Sequence, residues 1–154
     1  MKNLFFVTKM ILLAIVATFI TACDKDEDVI TYDLTGNWKV ISFNNYESST
    51  TITKTEDNTW TQFNNGDITV SFDASDLTSG KISGINVTNS FLGNYTVDSK
   101  GAISINNVIW TKINEPEWGR LFHSIVNAET FELRNGSLRI FYNNKKNSIT
   151  LERI

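Results

Sequence analysis

The side chains able to do chemistry in this 154-residue chain are few and scattered. There is one histidine, His123, and one cysteine, Cys23. A nucleophilic triad needs a base beside Ser, Thr or Cys, and zinc needs several nitrogen or sulfur ligands. One imidazole and one thiol far apart in the sequence point to neither. Glu115 and Glu117 flank Pro116, the only proline. They read as the acidic start of a helix, where the backbone dipole favours negative charge. General acid/base work would instead need two acids facing a cleft with separated pKa values. "DASDLTSGK", Asp73 to Lys81, sets two acids three apart in a turn-rich stretch, but lacks the 12-residue spacing and terminal Glu of a calcium loop. Its "TSGK" lacks the Gly-rich turn of a phosphate loop. Trp60, Trp110 and Trp118 would offer a sugar-stacking platform if exposed, although core packing is the commoner use of such rings. The reading is no catalytic residue, no metal and no cofactor, with ligand-binding residues unassigned.

Cys23 has a different context. Lys2 and Lys9 form a basic start, and "MILLAIVATFI" from Met10 to Ile20 is the length of a signal-peptide apolar region, too short for a membrane span. "ITAC", Ile20 to Cys23, resembles a bacterial lipobox. The resemblance implies cleavage after Ala22 and acylation of Cys23, giving a signal peptide over 1–22 and a lipidated, acidic tether over 23–33. A lone cysteine also has no partner for an internal disulfide. "DKDED", directly after Cys23, resembles the surface-export signal of Bacteroidetes lipoproteins. The expected location is the outer membrane, facing outward, with a periplasm-facing placement as the alternative.

Lys2 and Lys9 leave with the leader while all seventeen acids stay, so the remainder is more acidic than the whole chain's −3. Binding to nucleic acid normally calls for a basic face, and none is expected here. Residues 34–154 read as one domain. Short stretches rich in β-branched and aromatic residues ("WKVISF", "TTITKT", "ITVSF", "NYTV", "AISI", "VIWT") alternate with turn signals. The Asn-Asn pairs at 44–45, 64–65, 106–107 and 143–144 are read as turns. "FELRNGSLRIFY" is the clearest hairpin, with Asn135-Gly136 at its tip, and "SITLERI" is a last strand with Ile149 and Leu151 on one face.

One segment has helical spacing. Trp118, Leu121, Phe122, Ile125 and Val126 fall at i, i+3, i+4, i+7 and i+8. Pro116 suits the first turn, Asn114 and Glu117 suit a capping box, and His123 falls towards the polar face. The expected fold is mainly β: a small antiparallel β-barrel-like domain with one short amphipathic helix before the C-terminal strands.

Three stretches carry a family resemblance: "LTGNWKV", "NSFLGNYTVD" (Asn89 to Asp98), and "TKINEPEWGRLFHSI" with the hairpin that follows it. Their order resembles the META (HslJ-like) domain family. That resemblance implies an envelope or surface protein linked to stress response or virulence, without an accepted catalytic site. Many members carry a cysteine pair where this chain has Thr88 and Asn114 or Glu115, so that disulfide does not transfer. Gly36-Asn37-Trp38 also resembles the Gly-x-Trp at the start of lipocalins, where Trp closes the barrel floor. The expected function is a non-catalytic binding or accessory module, monomeric and membrane-attached through Cys23. Its partner would be an envelope protein, a glycan or a small apolar ligand, and the alternative is a lipocalin-like carrier of such a ligand.

Overall fold

The computed structural model describes residues 33–154. The signal peptide, Cys23 and all of the tether except Asp33 lie outside the described residues. Nine strands follow in order: β1 Gly36–Asn45, β2 Thr50–Ile52, β3 Ile68–Ala74, β4 Ser79–Asn86, β5 Asn89–Val97, β6 Ile103–Trp110, β7 Thr130–Arg134, β8 Ser137–Tyr142 and β9 Asn147–Arg153. Between β6 and β7 lies the helix α1, Glu117–Phe122, continued by a 3₁₀ turn at His123–Asn127.

The sheet is antiparallel, in the order β6-β5-β4-β3-β1-β9-β8-β7, with β2 a short extra partner of β1. Consecutive strands pair except β2 with β3 and β6 with β7, and the two ends of the domain meet where β1 pairs with β9 over Trp38–Arg153 to Asn45–Asn147. The sheet curls into a half-barrel whose edges, β6 and β7, touch through one bridge, Ala102–Thr130. The 3₁₀ turn packs between β6 and β8 and covers the rest of this seam. Mainly β with one short helix before the last strands agrees with the expectation.

Alternation explains the core. β5 reads buried–exposed throughout, with Asn89, Phe91, Gly93, Tyr95 and Val97 inside, as a two-residue period requires. β1 and β6 begin in the same way and then change parity. An extra residue between Val40 and Ser42 turns Ile41 outward, so that Trp38 and Val40 and then Phe43 all point inward. A second irregularity in β6, opposite Gly93, lets Ile103 and Ile105 and then Val108 and Trp110 face the core. Such bulges insert one unpaired residue and sharpen the twist. Asn107 supplies the left-handed backbone that this one uses, at φ 54°. Asn106-Asn107 thus serves a bulge inside one strand, and the expected turn there is corrected. The reason is shared: Asn tolerates positive φ wherever the chain needs it.

β4 was not among the sequence-predicted strands, because Gly80 and Gly84 interrupt its pattern. The glycines are what the fold needs there. A side chain at Gly84 would meet the Phe91 ring at 2.9 Å and the Thr69 carbonyl, and one at Gly80 would meet the Tyr95 ring at 2.6 Å. Aromatic side chains of β5 lie across the bare backbone of β4.

The interior is filled with side chains. Trp38, Phe72, Trp118 and Phe122 are fully buried with Ile68, Ile82, Leu138, Ile140, Ile149 and Leu151. Ring contacts run through it: Phe43 with Trp118 at 4.8 Å, Phe72 with Tyr95 at 5.1 Å and Phe91 with Phe122 at 5.3 Å. The hairpin expected at Asn135-Gly136 is present, with φ of 51° and 75° at the two turn residues.

Candidate functional site

Three places gather the polar side chains weighed from the sequence. The first is the start of α1. Glu115 does not cap the helix. It is only 5% exposed, and its Oε1 accepts from the Asn89 backbone N–H at 2.8 Å and the Asn89 side-chain amide at 2.7 Å. Asn89 in turn donates to the Ile113 carbonyl and accepts, through Oδ1, from the Ile113 N–H at 2.7 Å and the Thr111 hydroxyl at 3.0 Å. One β5 side chain thus fixes the whole segment leading into the helix. Pro116 is the cap residue and no side chain caps α1. Instead, the Asn58 carbonyl accepts from the Trp118 N–H at 2.8 Å. The expected Asn114/Glu117 capping box is therefore replaced by a backbone contact from the loop before β3. Thr88 and Asn114, the positions of the family's cysteine pair, do lie together: the Thr88 hydroxyl donates to the Asn114 carbonyl at 2.8 Å. Asn86, fully buried beside this network, leaves both side-chain polar atoms without a hydrogen-bond partner among the described residues, as does the Trp118 indole N–H.

The second place is the seam. His123 is exposed, as expected from the helical wheel, and stacks on Trp110 with ring centroids 4.6 Å apart. Trp110 also contacts Phe91 and Phe122. The three tryptophans do not form a platform. Trp118 is inside the core, Trp110 belongs to the seam, and half-buried Trp60 pairs with Phe63 in the loop before β3. Val126 lies 43% exposed, because the helix tightens to a 3₁₀ turn after Phe122 and the five apolar residues no longer share one arc.

The third place is a cleft of about 690 Å³ at the barrel end where β1 begins. Leu34, Leu77, Tyr95 and Val97 form its apolar walls, and Asp33 and Asp76 stand at its rim. The "DASDLTSGK" stretch supplies much of it. Asp76 closes the β3–β4 turn by accepting from the Thr78 and Ser79 N–H groups, both at 2.8 Å, and from both hydroxyls. These bonds, the Thr78 N–H foremost, hold its carboxyl below the usual aspartate range. Asp33 is lowered likewise by hydrogen bonds from Thr35, with Arg153 adding positive charge. Asp98 is lowered by the N–H groups of Ala102 and Lys100. Burial raises the Tyr95 phenol, and the negative charges of Asp33, Asp73 and Asp76 push it further the same way. The rim is thus ionised and the phenol neutral at physiological pH. Sequence reading passed over Tyr95 and Asp33. Their only signal was the inward phase of β5 and the position of Asp33 just before β1.

Near the same end, Trp38 is fully buried. Its indole N–H donates to the Leu34 carbonyl at 2.9 Å, and the Arg153 guanidinium lies 4.4 Å above its ring. Arg153 also donates to the Thr35 carbonyl at 2.7 Å. Among the described residues, no cluster of three His, Cys, Asp or Glu side chains is placed to hold a metal ion, and no helix is long and apolar enough to cross a membrane.

No family model matches the chain, and no curated protein matches it. Among solved structures, it is similar to a DUF4847 family protein from Bacteroides vulgatus ATCC 8482 at 17% identity. The match covers 77% of this chain and 92% of that one, with a TM-score of 0.49.

Proposed function

We propose that this chain is a cell-envelope lipoprotein, held at the outer membrane through acylated Cys23 and facing outward, whose META-like β domain is a non-catalytic binding or accessory module with a stress or surface role. One observation carries the binding-module reading: the side chains with chemical capability are already committed to the fold. Glu115 is bonded to Asn89, His123 is stacked on Trp110, and Asp76 and Asp98 close turns. With the interior packed, the outer surface and the clefts at the barrel ends are the working parts. The anchor rests on the "ITAC" and "DKDED" stretches. Palmitate labelling of wild type and Cys23→Ala tests it: label should enter only the wild type, and equal labelling would sink the anchor. Protease accessibility on intact cells then separates an outward from a periplasmic placement.

A second reading is a lipocalin-like carrier; with the interior filled, its ligand would sit in the cleft at the start of β1. Organic extraction of the purified protein followed by mass spectrometry tests it. A stoichiometric apolar molecule would replace the first reading with this one.

A further inference from the structure

The cleft at the start of β1 brings together apolar walls, a phenol and two rim carboxylates, one of which, Asp76, also closes the β3–β4 turn. Its volume, about 690 Å³, falls in the range of small-molecule sites. Leu77 is 96% exposed at its lip, an apolar side chain with no cover. Tyr95 is 4% exposed and lines the cleft, and among the described residues its hydroxyl has no hydrogen-bond partner. The hydroxyl is not among the buried unpaired atoms and so is open to water, which a ligand's polar group can replace. Two carboxylates stand at the rim, and among the described residues no Lys or Arg lines the cleft. Arg153, close to the start of β1, is held over the Trp38 ring.

We propose that this cleft binds a small aliphatic amine, with its ammonium group between Asp33 and Asp76, a hydrogen bond to the Tyr95 hydroxyl, and its methylene chain along Leu34, Leu77 and Val97. Both carboxylates are exposed at the rim, so they repel an anionic ligand and offer a purely apolar one nothing. An ammonium group gains a charge-assisted contact there. The assignment rests on the binding-module reading and gives it a ligand class. It needs neither the anchor nor a particular leaflet.

Calorimetric titration of the full chain in detergent with 1,8-diaminooctane tests this, with 1,8-octanediol and suberate as uncharged and anionic controls. Saturable binding of the diamine alone is expected. Asp33→Asn combined with Asp76→Asn should weaken it roughly tenfold or more, and Tyr95→Phe about threefold, in keeping with the loss of charge-assisted and neutral bonds respectively. Circular dichroism checks that each variant is folded; both changes keep the side-chain shape. Equal binding of the diol, unchanged binding by the variants, or no saturable heat from the wild type would each overturn the proposal. Failure of the anchor is read separately by palmitate labelling, and a carrier by the extraction above.

Discussion

Glu115 Oε1 receives both the backbone N–H and the side-chain amide of Asn89, at 2.8 and 2.7 Å, inside the domain. The contact joins the start of β5 to the residue before the helix cap, and so sets where α1 starts. Asn89→Ala removes the amide from Glu115 and from both polar groups of Ile113 together. Each buried polar group left unpaired costs about 1–3 kcal/mol, and water reaching Ile113, which is itself exposed, recovers part of that. A loss of about 3 kcal/mol is expected from urea unfolding. A loss below about 1 kcal/mol would show that the network is not structural.

Gly119 lies in α1 against the same carboxylate: a methyl group there would run into Glu115 Oε2 and approach Asn86 Oδ1 at 3.4 Å. Gly to Ala inside a helix ordinarily stabilises by about 1 kcal/mol. Here overpacking reverses the sign, and Gly119→Ala should cost about 1–3 kcal/mol. A higher midpoint in urea for Gly119→Ala would contradict the packing described.

Arg153 fastens the other end of the barrel by covering the Trp38 ring and bonding the Thr35 carbonyl. Arg153→Met keeps much of the apolar stem and removes both interactions, so about 1–2 kcal/mol of stability should be lost. Arg153→Lys should recover only part of it, since an ammonium group cannot stack flat and bond sideways as a guanidinium does. Full recovery by Lys would reduce the contact to simple charge.

Acid should destabilise the domain. Asp33, Asp76 and Asp98 all titrate below the ordinary aspartate value in the folded state. A group whose folded pKa is depressed contributes stability that is present above its unfolded pKa, about 3.9, and is lost as pH falls towards the folded value. The melting temperature should therefore be flat with respect to these three groups above about pH 5 and fall below about pH 4. Tyr95 acts at the other extreme. Its raised pKa means stability present below the unfolded value, about 10, and lost as pH rises through the folded one. Tyr95→Phe should flatten only the alkaline limb of the melting profile, and an identical alkaline limb in Tyr95→Phe would remove that account.

The sequence alone determined what short-range physics controls. Alternating apolar residues along the C-terminal hairpin and the last strand named their inward faces, because side chains in a strand point to opposite sides in turn. Asn135-Gly136 named a hairpin, because few residues adopt two consecutive left-handed conformations. Trp118, Leu121, Phe122 and Ile125 marked the helix that packs on the core. The tertiary structure decided the rest. The changes of inward phase in β1 and β6 depend on bulges against partners far away in the chain, and β4 was hidden because its glycines answer to rings on β5. Glu115 looked like a helix-start acid until Asn89, 26 residues earlier, was found to claim it. Asp33, Asp76 and Tyr95 carry no shared motif. They come to one cleft only because the sheet curls, bringing the start of β1, the β3–β4 turn and the end of β5 to the same end of the barrel.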